Sequence, residues 1–321
     1  MILTLTINPA IDRNVTADRL VFEDRAYILS TDESAGGRGV NASCVIHSFG
    51  GETLAILTSG GQSGARLEAL VRAYGFPVDI VNIGNEIRTN LTITDKHGLT
   101  IKLNEAGPAM DKQELDRLEK ATLRRLDSAQ WLMLCGSIPP GVPADFYARL
   151  IEAARKRKVR TLLDTDGDAL ELGIEAKPAV VHANQGEAER LLGAALLTRA
   201  HFLDAVGRIE SMGAQSVILS LGSRGAVGTN GKSQVEALPP RVDAVCPIGA
   251  GDALAAAFTW AMVKKNDFED AVRWGVAAGT ASAKLPGVSF ASLDQTEQVY
   301  KLVEMRRASS GPAARQSHVL R

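Results

Sequence analysis

Cysteine is scarce in this chain. Cys44, Cys135 and Cys246 are the only three in 321 residues, odd in number and without paired metal-ligand spacing. That excludes a disulfide scaffold and a zinc ribbon. The five histidines, His47, His97, His182, His201 and His318, are scattered without the i, i+4 pairing of a zinc helix. Charge of one sign is lacking too: the formal net charge is -1, so the chain offers no field to hold nucleic acid or an anionic membrane. No apolar run reaches the roughly 18 residues of a membrane span. No signal peptide precedes Leu3-Thr4-Leu5-Thr6-Ile7. No internal repeat is evident. These absences point to a cytoplasmic globular protein whose substrate is small.

What is present is a large apolar fraction, 45% hydrophobic against 23% charged, enough to bury a sizeable core. Leu54 to Leu57, Trp131 to Cys135, Leu162-Leu163, Val180-Val181 and Val217 to Leu219 are short continuous apolar runs, as parallel strands buried on both faces require. Between them lie stripes at helical spacing, such as Leu67, Leu70, Val71 and Tyr74, or Tyr147, Leu150, Ile151 and Ala154. Alternation of strand and helix predicts an α/β fold with a doubly wound, mostly parallel sheet flanked by helices. Leu91, Ile93, Leu99, Ile101 and Leu103 differ, alternating with polar residues around a turn at His97-Gly98. That is a half-exposed antiparallel hairpin. With a second polar-apolar segment near Val15 to Thr31 it predicts a small antiparallel β lid, drawn from about 13–35 and 86–105. Residues 1–305 read as one domain carrying that lid, and 306–321 as a mobile tail.

The stretch with most chemical content is Gly249-Ala250-Gly251-Asp252, which opens an apolar helix containing Leu254, Phe258 and Met262. Small residues let amides at the helix start face an anion, and the helix dipole favours negative charge there. A carboxylate beside such a site suits a general base that takes a proton from a hydroxyl attacking a phosphate; otherwise Asp252 only caps its own helix. Gly36-Gly37-Arg38-Gly39-Val40-Asn41 reads either as a hinge that lets a ligand approach the backbone, with Asn41 facing it, or as a structural helix-start loop. Ser220-Leu221-Gly222-Ser223-Arg224-Gly225-Ala226 follows a buried strand and suits a loop against a nucleotide, or an ordinary tight turn. Asn184 and Glu187, one helical turn apart, either face a hydrated Mg²⁺ or mark a helix start.

Other signals fail on inspection. Gly231-Lys232-Ser233 resembles the end of a Walker A loop, but the glycine needed five residues earlier is Ala226, and Asn230-Gly231 reads better as a hairpin turn. Asp164-Thr165-Asp166-Gly167-Asp168 lacks the glycine position and closing glutamate of a calcium loop, and reads as a strand end leading into a helix cap.

Thr6-Ile7-Asn8-Pro9-Ala10-Ile11-Asp12, Gly36 to Asn41, Gly136-Ser137-Ile138-Pro139-Pro140-Gly141 and Gly249 to Asp252, in that order, resemble the ribokinase/phosphofructokinase B family of sugar kinases over nearly the whole chain. Asn-Pro-Ala-Ile-Asp together with Arg88-Thr89-Asn90 resembles the branch that holds 1-phosphofructokinase, the minor 6-phosphofructokinase and tagatose-6-phosphate kinase. The resemblance implies a ribokinase-like fold, ATP, Mg²⁺ and a phosphosugar acceptor, with room for a monovalent cation. It implies that Asp12, Gly37, Gly39 and Asn41 bind sugar hydroxyls, and that Arg88, Asn90 and Ser137 reach the acceptor's phosphate or nearby hydroxyls. Arg25 and Arg38 are further candidates for that anion, though Arg25 equally suits a plain surface role. Ser220, Gly222, Ser223 and Gly225 would line the nucleotide, Asn184 and Glu187 would sit near Mg²⁺, and Asp252 would be the base beside the Gly249, Ala250 and Gly251 amides. Four features depart from the family pattern: Arg38 where Lys or Gly is usual, Tyr27 at an often basic position, His182-Ala183-Asn184 in place of Lys-Pro-Asn, and Cys246-Pro247-Ile248 ahead of Gly249. A homodimer through the lid is expected, because a small two-faced sheet rarely stays exposed alone. A non-catalytic sugar-phosphate or nucleotide sensor on the same fold is the other class to weigh. A nicotinamide oxidoreductase is disfavoured, since Gly36 to Gly39 lacks the preceding strand and later ribose-binding acid.

Overall fold

A computed structural model describes residues 1–21 and 23–308. The first half of the chain runs β1 (Ile2–Thr6), β2 (Ala10–Ala17), β3 (Ile28–Gly36), α1 (Arg38–Ser48), β4 (Thr53–Ser59), α2 (Gly61–Ala73), β5 (Val78–Asn82), β6 (Arg88–Asp95), β7 (Thr100–Asn104) and α3 (Lys112–Arg125). It continues through β8 (Trp131–Cys135), α4 (Phe146–Lys156), β9 (Arg160–Asp164), α5 (Gly167–Glu175), β10 (Val180–Asn184), α6 (Gln185–Leu192), α7 (Arg199–Ser211) and β11 (Val217–Ser220). The remainder is β12 (Ala226–Thr229), β13 (Gln234–Leu238), α8 (Ala250–Lys265), α9 (Phe268–Ala283), α10 (Leu293–Tyr300) and β14 (Glu304–Ala308).

Ten strands form one sheet in the order β14-β13-β12-β11-β10-β9-β8-β1-β4-β5. From β5 to β11 all neighbours are parallel, and the apolar runs of the sequence supply these strands. Successive side chains point to opposite faces of a strand, so Leu132 and Leu134 enter one core layer while Trp131, Met133 and Cys135 enter the other. Burial on both faces is why no polar alternation was visible there. The sheet then turns antiparallel through β12, β13 and β14. Asn230-Gly231 makes the hairpin turn between β12 and β13 as expected, with Gly231 at φ 79°. β14 corrects the expected tail boundary: Arg306, Arg307 and Ala308 pair with Glu236, Val235 and Gln234, and only the rest of the tail lies outside the described residues.

The lid is a four-stranded sheet in the order β3-β2-β6-β7. Both hairpins are antiparallel as expected, with Gly98 at φ 88° in the His97-Gly98 turn. They join through a parallel pairing of β2 with β6, a direction that apolar alternation cannot reveal. This register sets Asp12 opposite Asn90.

Helix α8 is buried almost all round, from Ala253 to Ala261, and its many alanines allow close approach of α9. Gly275 and Gly279 complete the fit: a Cβ added at Gly279 would stand 2.7 Å from the Ala250 carbonyl oxygen, and one at Gly275 would stand 2.9 Å from that of Leu254. The start of α8 is thereby fixed from behind by α9. No helix among the described residues is long and apolar enough to cross a membrane.

Candidate active site

Parallel sheets gather ligand sites at the carboxyl ends of their strands, and the chemistry-bearing residues lie there. Gly249 adopts φ 80° as the residue before α8, a left-handed conformation that suits glycine. The Ala250 N–H is tied to the Pro247 carbonyl at 3.2 Å, so Ala250 is not a free donor. The Gly251 and Asp252 N–H groups find no backbone acceptor among the described residues, leaving two unsatisfied donors at the positive end of a helix. Asp252 turns inward: its Oδ2 accepts a hydrogen bond from Asn41 Nδ2 at 2.7 Å. Burial, reinforced by the nearby Asp164 carboxylate, pushes the Asp252 carboxyl up to about 6.

Asn41 is thus held on the carboxylate of Asp252 through one of its amide hydrogens. The loop before α1 explains the reach. Gly37 sits at φ 126°, and a Cβ on Gly39 would meet Thr6 Oγ1 at 2.4 Å, so α1 presses closely on β1. Gly39 thus serves packing, and Gly37 serves the turn.

Arg38, expected on the acceptor's phosphate, points elsewhere. Its Nη1 donates to Asp164 Oδ1 at 2.7 Å and its Nη2 to Glu187 Oε1 at 2.9 Å, with Asp166 Oδ2 at 3.5 Å. Asp164, buried on the sheet, is held well below the usual carboxylate range because Arg38 and His182 outweigh the cost of burial. Asp166 stands at the N-cap of α5 but makes no side-chain cap bond. The Asp164 segment is a strand end leading into a helix start, as its sequence predicts; its pairing with Arg38 leaves no local signal.

His182 joins this group. Nδ1 lies 3.3 Å from Asp164 Oδ2, and Nε2 lies 3.2 Å from Ser220 Oγ. Burial opposes protonation of the ring, but the Asp164 carboxylate wins and raises its pKa. A Cβ on Gly251 would sit 3.5 Å from His182 Cε1, so the imidazole lies directly behind the amide turn. The departure from Lys-Pro-Asn thus puts an imidazole behind this turn.

Asn184 and Glu187 form a capping box. Asn184 Oδ1 accepts from the Glu187 N–H at 2.9 Å, and Glu187 Oε2 accepts from the Asn184 N–H at 2.8 Å. Glu187 Oε1 also accepts from Arg38, so the helix-start geometry is present, and each of these oxygens keeps a lone pair that the water of a hydrated ion can use. Among the described residues no group of three or more His, Cys, Asp or Glu side chains converges as a metal cage. The residues present fit contact with a hydrated Mg²⁺ through its waters rather than a cage built by the protein alone.

In the nucleotide-loop candidate, Gly222 and Gly225 adopt φ 60° and 87°. A Cβ on Gly225 would come within 2.0 Å of the Ala237 carbonyl oxygen, so this glycine is required by strand packing whatever the loop binds. Ser223 is exposed, while Ser220 is drawn toward His182.

A second cluster faces the lid. Asp12 Oδ1 accepts from Asn90 Nδ2 at 2.8 Å, and burial raises the Asp12 carboxyl even though Asn90 and Arg88 pull the other way. Gly36 leaves room for it, since a Cβ there would fall 2.3 Å from the Asp12 carboxyl carbon. Arg88 donates to the Glu105 and Asn8 carbonyls, both at 3.0 Å, and Asn8 Nδ2 donates to Ser137 Oγ at 3.2 Å. Asn8 lay inside the opening motif without a role of its own; here it links three of its parts. Arg88 Nε, Asn90 Oδ1 and Asn8 Oδ1 are buried without partners, a mixed set of donor and acceptors suited to a polar ligand. Arg88, Ser137 and Asp166 line one cleft of ≈ 590 Å³. Arg25, by contrast, is exposed in the loop between β2 and β3, and its guanidinium makes no hydrogen bond among the described residues.

An α/β fold with a lid, an inward aspartate at a glycine-rich helix start and a polar cleft beneath the lid defines a sugar kinase of the ribokinase type. The pfkB family carbohydrate kinase profile matches residues 5–295, and the chain belongs to that family. It is 30% identical over 302 residues to the ATP-dependent 6-phosphofructokinase isozyme 2 of Escherichia coli, covering 93% of this chain and 97% of that one. It is also 30% identical over 284 residues to the 1-phosphofructokinase of Borreliella burgdorferi, covering 88% and 92%. The crystal structure of Escherichia coli phosphofructokinase-2 in complex with potassium superposes with a TM-score of 0.88 at 29% identity, covering 94% of this chain and 98% of that one.

Proposed function

We propose that the chain transfers the γ-phosphoryl group of ATP to a hydroxyl of a ketohexose phosphate, in the manner of a 1-phosphofructokinase, with Asp252 as general base. The observation that carries this reading is the Asp252 carboxylate held inward by Asn41 at 2.7 Å, beside two amide donors at the start of α8. A carboxylate pushed up to about 6 is ionised at neutral pH yet basic enough to accept the hydroxyl proton as the phosphoryl group moves. The Gly251 and Asp252 amides then face negative charge on that group, and positioning and electrostatics supply most of the rate. Asp12 and Asn90 would hold sugar hydroxyls, and Arg88 with Ser137 would bind the acceptor's phosphate. Mg²⁺ carried on the ATP phosphates would supply charge neutralisation there, with Asn184 and Glu187 near its waters; the phosphofructokinase-2 neighbour, bound to potassium, supports a monovalent requirement as well. The lid would exclude water, itself an acceptor.

Fructose 1-phosphate is the expected acceptor, with fructose 6-phosphate and tagatose 6-phosphate as alternatives. A panel of phosphosugars with ATP and Mg²⁺, read by ADP release, should give turnover with a ketohexose phosphate and little ATP hydrolysis without sugar. Binding of ligands without turnover on any of them would convert the reading to a sensor.

The lid supports a homodimer. Ile101 and Leu103 on β7 are 37% and 55% exposed, and Ile28 and Leu29 on β3 more so, an apolar surface that association would cover. Sedimentation at micromolar concentration should give a dimer mass, whereas a monomer would reject the lid interface.

A further inference from the structure

β5 closes one end of the large sheet and pairs only with β4 among the described residues. The Ala55 N–H donates to the Pro77 carbonyl at 3.0 Å and the Ile83 N–H to the Ser59 carbonyl at 2.8 Å. Asp79 and Val81 therefore turn their backbone groups toward β4, while Val78, Ile80 and Asn82 turn theirs outward. Among the described residues only the Asn82 carbonyl of this outward set meets a donor, Arg117 Nη2 at 3.2 Å. The strand runs Val-Asp-Ile-Val-Asn in an unbroken register, with none of the lysine, proline or bulge that commonly blunts an edge.

Beside this edge runs a basic stripe. α3 is tacked along β5 in the opposite direction, by Arg117 on the Asn82 carbonyl and by Arg125 Nε on Asp79 Oδ2 at 2.9 Å. The helix rises about 12 Å from Arg117 to Arg125 and the strand about 10 Å from Asp79 to Asn82, so the two keep pace. The β5 edge, Arg117, Lys120, Arg124 and Arg157 line one cleft of ≈ 840 Å³. Its two carboxylates are engaged, Asp79 by Arg125 and Asp127 by Arg157 at 3.5 Å. Arg117, Lys120 and Arg124 follow one another at i, i+3 and i+7 on one face of α3, and none has a carboxylate partner among the described residues. A chain of net charge -1 thus concentrates unpaired positive charge along an open strand.

We propose that this cleft is a docking groove for an extended acidic segment of a partner protein, which adds to β5 as a further strand and sets its carboxylates on the α3 stripe. Strand addition draws affinity from main-chain hydrogen bonds and specificity from alternate side chains. Alternate side chains of a strand recur about every 6.6 Å, and the helix rises about 4.5 Å from Arg117 to Lys120 and about 6 Å from Lys120 to Arg124. Acids at every second position therefore meet successive cations. A second copy of this chain is a poor occupant, since its own β5 edge would bring one basic stripe against another.

A fluorescein-labelled peptide of alternating glutamate and threonine, about ten residues long so that it outspans β5, tests this when titrated with the full chain at low ionic strength and read by fluorescence anisotropy. No turnover is measured, so the result stands apart from the kinase reading. Wild type should bind the peptide, and Lys120→Glu combined with Arg124→Glu should weaken binding by about tenfold or more. Backbone pairing is tested on the unaltered chain with two further peptides, one N-methylated at every glutamate and the other at every threonine. Only alternate residues of an added strand face its neighbour, so one of the two should lose about tenfold in affinity and the other should bind as the parent does. Three results would overturn the proposal: no anisotropy change with wild type up to about 0.1 mM chain, equal affinity for the two methylated peptides, or binding of an oligouridylate of the same length as tightly as the peptide, which would make the stripe a plain polyanion surface.

Discussion

Asp252→Asn should lower kcat by roughly 10²-fold or more, the scale of lost general-base catalysis, with KM for ATP little changed. The asparagine can still take the hydrogen bond from Asn41, which at 2.7 Å holds the native carboxylate, so geometry survives and only basicity is lost. Near-normal turnover in this variant would remove Asp252 from the chemistry. The pH profile sharpens the test. With the carboxyl at about 6, the base form is lost as pH falls through that value, so kcat/KM of the wild type should drop on an acid limb near pH 6, about tenfold per unit further down. The residual activity of Asp252→Asn should lack that limb. Stability has the opposite dependence. Because the folded value exceeds the ordinary 3.8, the folded state holds this proton more tightly than the unfolded chain, and stability falls as pH rises from about 4 to about 6. Urea denaturation should therefore find Asp252→Asn more stable than wild type at pH 8, with the gap narrowing toward pH 5.

The second large effect is expected at the lid. Asp12→Ala removes the acceptor of the 2.8 Å bond from Asn90 and a charged partner for sugar hydroxyls. Hydrogen bonds to charged groups contribute about 1.5–3 kcal/mol, which corresponds to a rise in KM for the sugar phosphate of roughly 10- to 150-fold. KM for ATP should hardly move, since the Asp12 pair lies on the lid and not on the amide turn. An unchanged sugar KM would show that the Asp12–Asn90 pair is a structural tie within the sheet.

Much of the fold is legible in local pattern. Val217 to Leu219 or Trp131 to Cys135 can only be strands with two apolar sides, and Leu91 to Leu103 announces its own hairpin through period-two alternation. What local pattern lacks is direction and partner. Nothing between Ala10 and Ala17 says that β2 will meet β6 in parallel, because the same alternation serves either orientation. The antiparallel end of the sheet was likewise hidden at β14, whose Arg306 and Arg307 look like the start of a polar tail until Val235 and Glu236 pair with them. At the candidate site, the glycine-rich helix start at Gly249 to Asp252 is readable because its residues lie within one helical turn. Arg38 was not, since Asp164 lies 126 residues away along the chain and only the closed sheet brings the two together. Asn184 and Glu187 show the converse: a spacing that suits a hydrated metal also suits a capping box, and the sequence alone does not reveal that the backbone uses it.

Gly279 takes part in no chemistry, yet the carbonyl of Ala250 rests where its missing methyl would be. The back of one helix thus acts as the anvil on which the glycine-rich turn before α8 is shaped. Evolution can retune that turn from the helix behind it, and a search for inactivating substitutions confined to cleft-lining residues would pass it by.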